Sequence, residues 1–397
     1  MVFFRWRYKS LLRTIEFSIF VLLSLCLGLQ ARGAEEISGL ERSSLPPPKI
    51  EAKSWALLDL NSGSMLAEGN ADQRIEPASL SKLMTAFVVF NELKKGTFAP
   101  SDMAHISEKA WRTGGSRSFV EVNSKVSVED LLKGMIVQSG NDASVALAEH
   151  VAGSEDSFAL IMNQHAERLG LANSNFKNST GLTEEGHYSS ARDLVILASA
   201  IIQEFPEYYQ WYSLKEFTYN NITQPNRNKL LYRDSSVDGV KTGYTSTAGY
   251  CLIGSAERDG LRLIAAVTGA DGPRQRTNEV HSLLKYGYAA YQSHLVYDSA
   301  TPVAHVEVVM GEQDALAVGV SDDLRVTVPR GSTDKLKAEL SLEELHTAPI
   351  DEGQPVGSVK LSFDGQPFGE YALVALHAVP EGSWWQRAID TVMMWFK

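Results

Sequence analysis

Pro77-Ala78-Ser79-Leu80-Ser81-Lys82-Leu83-Met84-Thr85 is where the pattern of the chain changes. Ahead of it, Ser54 to Asp59 and Ser64 to Glu68 flank the turn Asn61-Ser62-Gly63 and read as a β-hairpin. From Ser79 to Lys95 apolar residues recur at helical spacing, and the run stops at Gly96. Ser127 with Asp130 predicts a capping box opening a helix to Val137. Further helices are predicted at Asp142–Val151, Glu155–Leu169 and Ala191–Glu204. Strand signals return after Val240: Tyr250–Glu257 and Leu261–Thr268 flank Arg258-Asp259-Gly260, and a helix follows from Pro273 to Tyr291. Strands, a block of helices, strands and a last helix predict an α+β domain over 51–290, with an antiparallel sheet flanked by a helical cluster.

Two further segments follow. Between 294 and 380 short alternating stretches recur (Ala304–Val309, Leu324–Val328, Lys337–Leu342, Val359–Phe363, Tyr371–Ala375), predicting a small all-β domain. Residues 383–397 predict an amphipathic helix. Trp384, Trp385, Ala388, Ile389, Val392, Met393, Trp395 and Phe396 are apolar, while Arg387, Asp390, Thr391 and Lys397 are polar. Tryptophans in so short a tail suit the lipid headgroup boundary, so 384–397 are expected to attach to a membrane surface. The other reading is a terminal helix docked on the protein's own core. The tail is too short to span a bilayer.

The 397 residues are 44% hydrophobic and 21% charged, a globular balance. Residues 1–34 stand apart. Arg5, Arg7, Lys9 and Arg13 precede an apolar run from Ile15 to Leu29, and small residues follow at Ala31, Gly33 and Ala34. This is the layout of a secretory signal peptide cleaved near Ala31–Ala34. A membrane anchor is the alternative, but the run is short for a span. Bulky Leu25 before Cys26 argues against a lipoprotein signal. Residues 35–50, ending in Pro46-Pro47-Pro48, read as a linker.

Loss of 1–34 removes five basic residues and one acid, so the formal charge of −11 becomes −15. A body this acidic is a poor partner for nucleic acid. Cys251 alone then remains, leaving no internal disulfide. The nine histidines include no pair three or four apart, and no metal or other cofactor is expected.

Three short motifs carry chemistry. Ser79 and Lys82, at i and i+3, share a helix face. A serine hydroxyl needs a base, and a lysine serves as one only if burial or a nearby positive charge lowers its pKa. Ser139-Gly140-Asn141 lies in a break between two predicted helices, where glycine permits close approach. Lys241-Thr242-Gly243 begins a strand region; its lysine and threonine suit a carboxylate, and its glycine lets a substrate backbone lie close. Each is common alone. In this order, about sixty and then about a hundred residues apart, they form a three-part signature.

With Pro77–Thr85, Ser139-Gly140-Asn141-Asp142-Ala143, His187-Tyr188-Ser189-Ser190-Ala191-Arg192-Asp193-Leu194 and Val237–Thr245, the sequence resembles the low-molecular-mass penicillin-binding serine D-alanyl-D-alanine carboxypeptidases. The likeness covers 51–289; the β-domain and tail match the family's layout more than its letters. It implies a β-lactamase/transpeptidase-like fold and cleavage between the two terminal D-alanines of the peptidoglycan stem peptide. By this resemblance Ser79 is the nucleophile, Lys82 the general base and Ser139 a proton relay to the leaving nitrogen. Asn141 holds Lys82 and the substrate amide carbonyl, while Lys241 also lowers the Lys82 pKa. Lys241 and Thr242 bind the terminal carboxylate beside Gly243, with Arg276 in preference to its neighbour Arg274. The oxyanion hole is formed by the backbone N–H groups of Ser79 and Tyr244, the latter standing where some relatives have histidine. β-Lactam antibiotics are implied as covalent inhibitors. The implied place is the periplasmic face of the cytoplasmic membrane.

His187 lies in a loop, Ser174 to Ser190, expected to border the cleft and to need this histidine for its order rather than for catalysis. Glu184 and Glu185 raise the question of a β-lactamase, against which SGN in place of SDN and the added β-domain count. A D,D-endopeptidase of cross-links and a penicillin sensor or scaffold without turnover also fit the motifs.

Overall fold

The computed structural model describes residues 45–343 and 345–394. The expected leader 1–34, residues 35–44 of the expected linker, and Trp395, Phe396 and Lys397 of the tail lie outside them.

Numbered along the chain, the N-terminal part holds strands β1 Ser54–Asp59, β2 Met65–Gly69, β3 Met103–His105, β4 Lys125–Ser127, β5 Glu216–Tyr219, β6 Ile222–Pro225, β7 Val237–Thr245, β8 Gly249–Arg258 and β9 Leu261–Ala270. Its helices are α1 Lys82–Lys94, α2 Glu108–Arg112, α3 Val128–Gln138, α4 Asn141–Ala152, α5 Glu155–Arg168, α6 Ala191–Glu204, α7 Pro206–Tyr209 and α8 Pro273–Ala290. Five strands form one antiparallel sheet in the order β2-β1-β9-β8-β7. The turn that joins β8 to β9 is Asp259-Gly260, with φ of +50° and +74°, as a two-residue hairpin demands.

Strand alternation splits the apolar residues between two faces. Ala56, Leu58, Ile264 and Ala266 join the core made with the helices. On the other face, Gly287 of α8 approaches Leu57 and Leu263. The centre of the helical side is α1, which is apolar nearly all round and buried from Leu83 to Phe90. Its Phe87 and Phe90 rings meet Phe205 at 5.1 and 5.8 Å. Each such ring contributes about 1.5–3 kcal/mol by burial. Serines set the starts of the surrounding helices: Ser127, Ser154 and Ser190 accept from the backbone N–H of Asp130, Ser157 and Asp193.

Two details differ from the sequence reading. The α-helix expected from Ser79 starts at Lys82; Ala78–Ser81 form a 3-10 turn ahead of it. The hairpin β5–β6 carries no turn signal, because its turn is Asn220-Asn221, with φ of +47° and +58°, instead of an Asn-Gly pair.

The C-terminal part continues with β10 Tyr291–Tyr297, β11 Ala304–Val309, β12 Ala315–Gly319, β13 Leu324–Pro329, β14 Leu336–Leu342, β15 Leu345–Thr347, β16 Pro355–Phe363 and β17 Gln366–Ala375. A six-stranded sheet runs in the order β14-β16-β17-β12-β11-β15, and β10 pairs with β13. The tail is helix α9, Trp384–Met394. Its polar side is tied down: Asp390 accepts from Met310 N at 2.6 Å, and Arg387 pairs with Glu381 at 2.7 Å. Trp384, Trp385, Ile389 and Val392 are 56–62% exposed. Among the described residues no helix is long and apolar enough to cross a membrane.

Candidate active site

A cavity of about 350 Å³ opens where the 3-10 turn, the α3–α4 break and β7 converge. Ser79, Ser139, Asn141, Thr242, Gly243, Tyr244 and Arg276 all line it. Lys82 and Lys241 stand behind that lining, 1% and 3% exposed.

The i, i+3 spacing brings Lys82 Nζ to 3.1 Å from Ser79 Oγ. The ammonium also donates to Asn141 Oδ1 at 2.7 Å and to the Thr180 carbonyl at 2.6 Å. Burial lowers the Lys82 pKa to about 7, with the Arg227 cation the next contribution; Asp142 and Glu155 oppose the fall. The main neighbouring charge is thus Arg227, where the sequence reading had Lys241. Repulsion between the two lysines is reciprocal, so the pair sheds a proton more readily than either alone. Lys241 itself is pushed well below its ordinary range, first by burial and then by Lys82.

The second wall is the helix break. Here the left-handed residue is Ser139, with φ +66° and ψ +35°, while Gly140 has φ −58°. The close approach expected at Gly140 is met, since a Cβ there would fall 2.0 Å from Ser118 Oγ and 2.9 Å from Ser118 N; the left-handed position is taken by the serine, a strain found at functional sites. Ser139 Oγ is buried and has no hydrogen-bond partner among the described residues. Asn141 spends Oδ1 on Lys82 and donates from Nδ2 to Gly114 O at 2.6 Å, leaving one amide N–H for another acceptor.

The third wall is β7. Tyr244 is exposed at the rim and lies 4.3 Å from the Tyr250 ring. A Cβ on Gly243 would sit 3.2 Å from Leu80 Cγ and Pro77 O. Glycine here lets the strand pack on the 3-10 turn that carries Ser79, besides its expected place along the cavity. Arg276 faces the cavity and donates to Gly243 O and Cys251 O at 2.8 and 3.1 Å, whereas Arg274 lines a separate surface hollow with Lys49 and Asp271.

Arg227 and the reach of Asp142 carry no sequence signal, whereas the loop 174–190 borders the cleft as expected. Arg227 lines the cavity and donates to Gln138 Oε1 at 2.6 Å. Asp142 accepts from the backbone N–H groups of Ser118 and Phe119 at 2.8–3.0 Å, shaping the loop that contains Gly115 and Ser116. The loop 174–190 borders the cleft through Thr180, Gly181 and Leu182. Its Glu184 accepts from Asn178 Nδ2 at 2.9 Å. His187 is buried, its pKa driven down by burial to about 4, and its Nε2 lies 2.8 Å from Ser81 Oγ.

Comparison with known proteins agrees over both parts of the chain. Residues 41–272 match the family described as D-alanyl-D-alanine carboxypeptidase, and 291–381 match the penicillin-binding protein 5 C-terminal domain. D-alanyl-D-alanine carboxypeptidase DacC of Escherichia coli K12 is 41% identical over 357 residues, 88% of this chain and 89% of that protein. Penicillin binding protein 5 from Haemophilus influenzae is 40% identical with a TM-score of 0.73, over 85% of this chain and 100% of that one. Penicillin-Binding Protein D2 from Listeria monocytogenes, solved in the ampicillin-bound form, is 31% identical with a TM-score of 0.57, over 62% and 100%. With identity at this level along most of its length, the chain belongs to the D-alanyl-D-alanine carboxypeptidase family, peptidase S11.

Proposed function

We propose that this D-alanyl-D-alanine carboxypeptidase removes the terminal D-alanine of peptidoglycan stem pentapeptides through an acyl-enzyme on Ser79, with Lys82 as general base, and so matures and remodels the cell wall. The observation that carries this reading is the set of three partners around Lys82 Nζ. Asn141 Oδ1 and Thr180 O can only accept, whereas Ser79 Oγ can also donate. A neutral Lys82 has two N–H bonds; these go to the two carbonyls, and its lone pair is left facing the Ser79 hydroxyl. A pKa of about 7 makes that neutral form available at neutral pH.

Ser79 Oγ attacks the penultimate D-alanine carbonyl while its proton passes to Lys82 Nζ. The oxyanion is held by the N–H groups of Ser79 and Tyr244. The C–N bond then breaks, and the leaving nitrogen takes a proton through Ser139 Oγ. Water repeats the sequence on the ester and frees Ser79. Lys241, Thr242 and Arg276 hold the terminal carboxylate beside Gly243, and Arg227 adds a further positive charge. The remaining Asn141 N–H suits the substrate's amide carbonyl. A β-lactam, which also carries a carboxylate beside a reactive amide, acylates the same serine; the ampicillin-bound form of the Listeria relative supports this.

The protein is exported by residues 1–34 and held at the periplasmic face of the cytoplasmic membrane through 384–397. The exposed apolar residues of α9 support that attachment. Deleting 384–397 should release the protein from membranes with peptidase activity intact.

Mass spectrometry after penicillin treatment tests the core of the proposal. The expected adduct maps to Ser79 and is long-lived. A pentapeptide should release free D-alanine, and a cross-linked dimer should stay uncut. An adduct elsewhere, rapid penicillin turnover or cleavage of the dimer alone would each replace this reading.

A further inference from the structure

The middle of the nucleophile motif contains a second hydrogen-bonded chain, separate from Lys82. Ser81 Oγ donates to the Ala78 carbonyl at 2.9 Å and lies 2.8 Å from His187 Nε2. The hydroxyl has one proton, and the Ala78 carbonyl can only accept it. His187 must therefore supply the proton of the 2.8 Å contact, from Nε2–H. The other ring nitrogen agrees: Nδ1 receives the Lys177 backbone N–H at 3.4 Å, so it is the unprotonated one. The chain runs Lys177 N–H to His187 Nδ1, His187 Nε2–H to Ser81 Oγ, and Ser81 O–H to Ala78 O.

The carbonyl at its end is no ordinary one. Ala78 has φ +49°, a left-handed conformation that costs an alanine about 1–2 kcal/mol. Its oxygen is also closely packed on a second side. A Cβ on Gly181 would fall 1.7 Å from it, so only glycine lets the loop reach this oxygen. Ala78 C=O and Ser79 N–H belong to the same planar trans peptide and point in opposite directions. Whatever fixes the direction of the Ala78 oxygen fixes the direction of the Ser79 N–H.

We propose that His187, acting through Ser81, is a positioning residue for the oxyanion hole: it keeps the Ala78–Ser79 peptide turned so that the Ser79 N–H faces the reacting carbonyl. The proposal rests on Ser79 being the nucleophile and on its N–H serving the oxyanion. His187 itself is 4% exposed and packs edge-on against Phe176 at 5.8 Å. It touches neither Ser79 nor Lys82 by any hydrogen bond described. Burial keeps the ring neutral, which preserves its one-donor, one-acceptor pattern.

The test compares His187→Leu, His187→Gln, Ser81→Ala and the double variant Ser81→Ala/His187→Leu. Loss of a whole oxyanion-hole donor costs about 10²–10³-fold in kcat. A donor that is only loosened should cost less, about tenfold. His187→Leu and Ser81→Ala are each expected to lower kcat for D-alanine release, and the rate of penicillin acylation, by about tenfold with KM within about twofold. His187→Gln keeps an amide N–H near the Nε2 position and should recover to within about threefold. The double variant should be no worse than either single one, since both cut the same chain.

The final extent of penicillin labelling, measured at long times, reports the folded fraction, so a misfolded variant is told apart from a slow one. Wild-type protein that takes up no penicillin at Ser79 would overturn the nucleophile assignment itself. Wild type labelled at Ser79, with His187→Leu equally fast, overturns only the positioning role. So does a His187→Gln variant as slow as His187→Leu, or a double variant whose losses multiply.

Discussion

The turn that carries Lys82 and the strand that carries Lys241 each bury a lysine against the same cavity, and in both burial pushes the ammonium toward losing its proton. Their partners differ. Lys82 Nζ has three contacts of 2.6–3.1 Å, two with pure acceptors and one with a hydroxyl. Among the described residues Lys241 Nζ has one, to the Thr242 carbonyl at 3.2 Å. Desolvation makes both lysines unusual, but of the two only the arrangement around Lys82 turns a lone pair toward a hydroxyl, that of Ser79. Lys241, with spare N–H groups and the nearby cations Arg227 and Arg276, is suited to an anion arriving from outside. Burial thus marks the site, and hydrogen-bond geometry divides the work within it.

The largest expected effect comes from removing the proposed base. Lys82→Met should lower kcat by about 10²–10⁴-fold and slow penicillin acylation in parallel. Lys82→Arg should fare no better, because a guanidinium does not give up its proton. Timed D-alanine release and penicillin labelling check both. A Lys82→Met enzyme within tenfold of wild type, beside a dead Lys241→Met enzyme, would reverse the two roles.

Next comes the carboxylate side. Lys241→Met removes charged hydrogen bonds worth about 1.5–3 kcal/mol, so kcat/KM should fall by about 10–10²-fold on a peptide ending in a free carboxylate. On the C-terminally amidated peptide, wild type and variant should converge. An equal loss on both peptides would place Lys241 in the proton transfer and erase the contrast.

The pH profile is a smaller effect and sharpens the same contrast. If the proposed base is neutral Lys82, acylation should rise about tenfold per unit as pH increases toward 7 and then level off. Arg227→Gln removes the second cause of the lowered pKa, so the inflection should move upward. An unchanged inflection would mean that burial alone sets it.

How much is legible in the sequence follows from how far each relation reaches along the chain. Ser79 and Lys82 are one turn apart, and their contact is local. Asp259-Gly260 names its own hairpin. The three motifs can be assembled because each keeps recognisable letters. Arg227 cannot, since Asn226-Arg227-Asn228 has no periodicity and enters the cavity only through the fold. Asp142 looks like the second residue of an ordinary helix, yet its carboxylate ties down Ser118 and Phe119 some twenty residues earlier. His187 is expected to order its loop; that its partner is Ser81, 106 positions away, requires the packing. Gly140 reads as a point of close approach, and it is one; that the approaching group is Ser118, and that the left-handed strain falls on Ser139, is set by the fold.

The last expected effect is on stability, and its sign separates the lysines once more. A base whose pKa falls on folding binds fewer protons in the folded than in the unfolded chain between the two values. For Lys82 that window runs from about 7 to the ordinary 10.5. Stability should therefore fall as pH drops through the window, and the full penalty should be present below it. Replacing either lysine by methionine removes this penalty. Lys82→Met also leaves Asn141 Oδ1 and Thr180 O without their donor, which costs about 1–3 kcal/mol for each buried group. Lys241→Met leaves only the Thr242 carbonyl. Lys241→Met should thus stabilise the protein by about 1–2 kcal/mol at neutral pH, while Lys82→Met is neutral or destabilising. The gain from Lys241→Met should shrink as the pH rises toward 10.5, where the unfolded chain also gives up the proton that the folded protein has already lost. Thermal unfolding across that range decides it. A stabilisation independent of pH would mean that Lys241 is destabilising through its packing, and its likeness to Lys82 would end at burial.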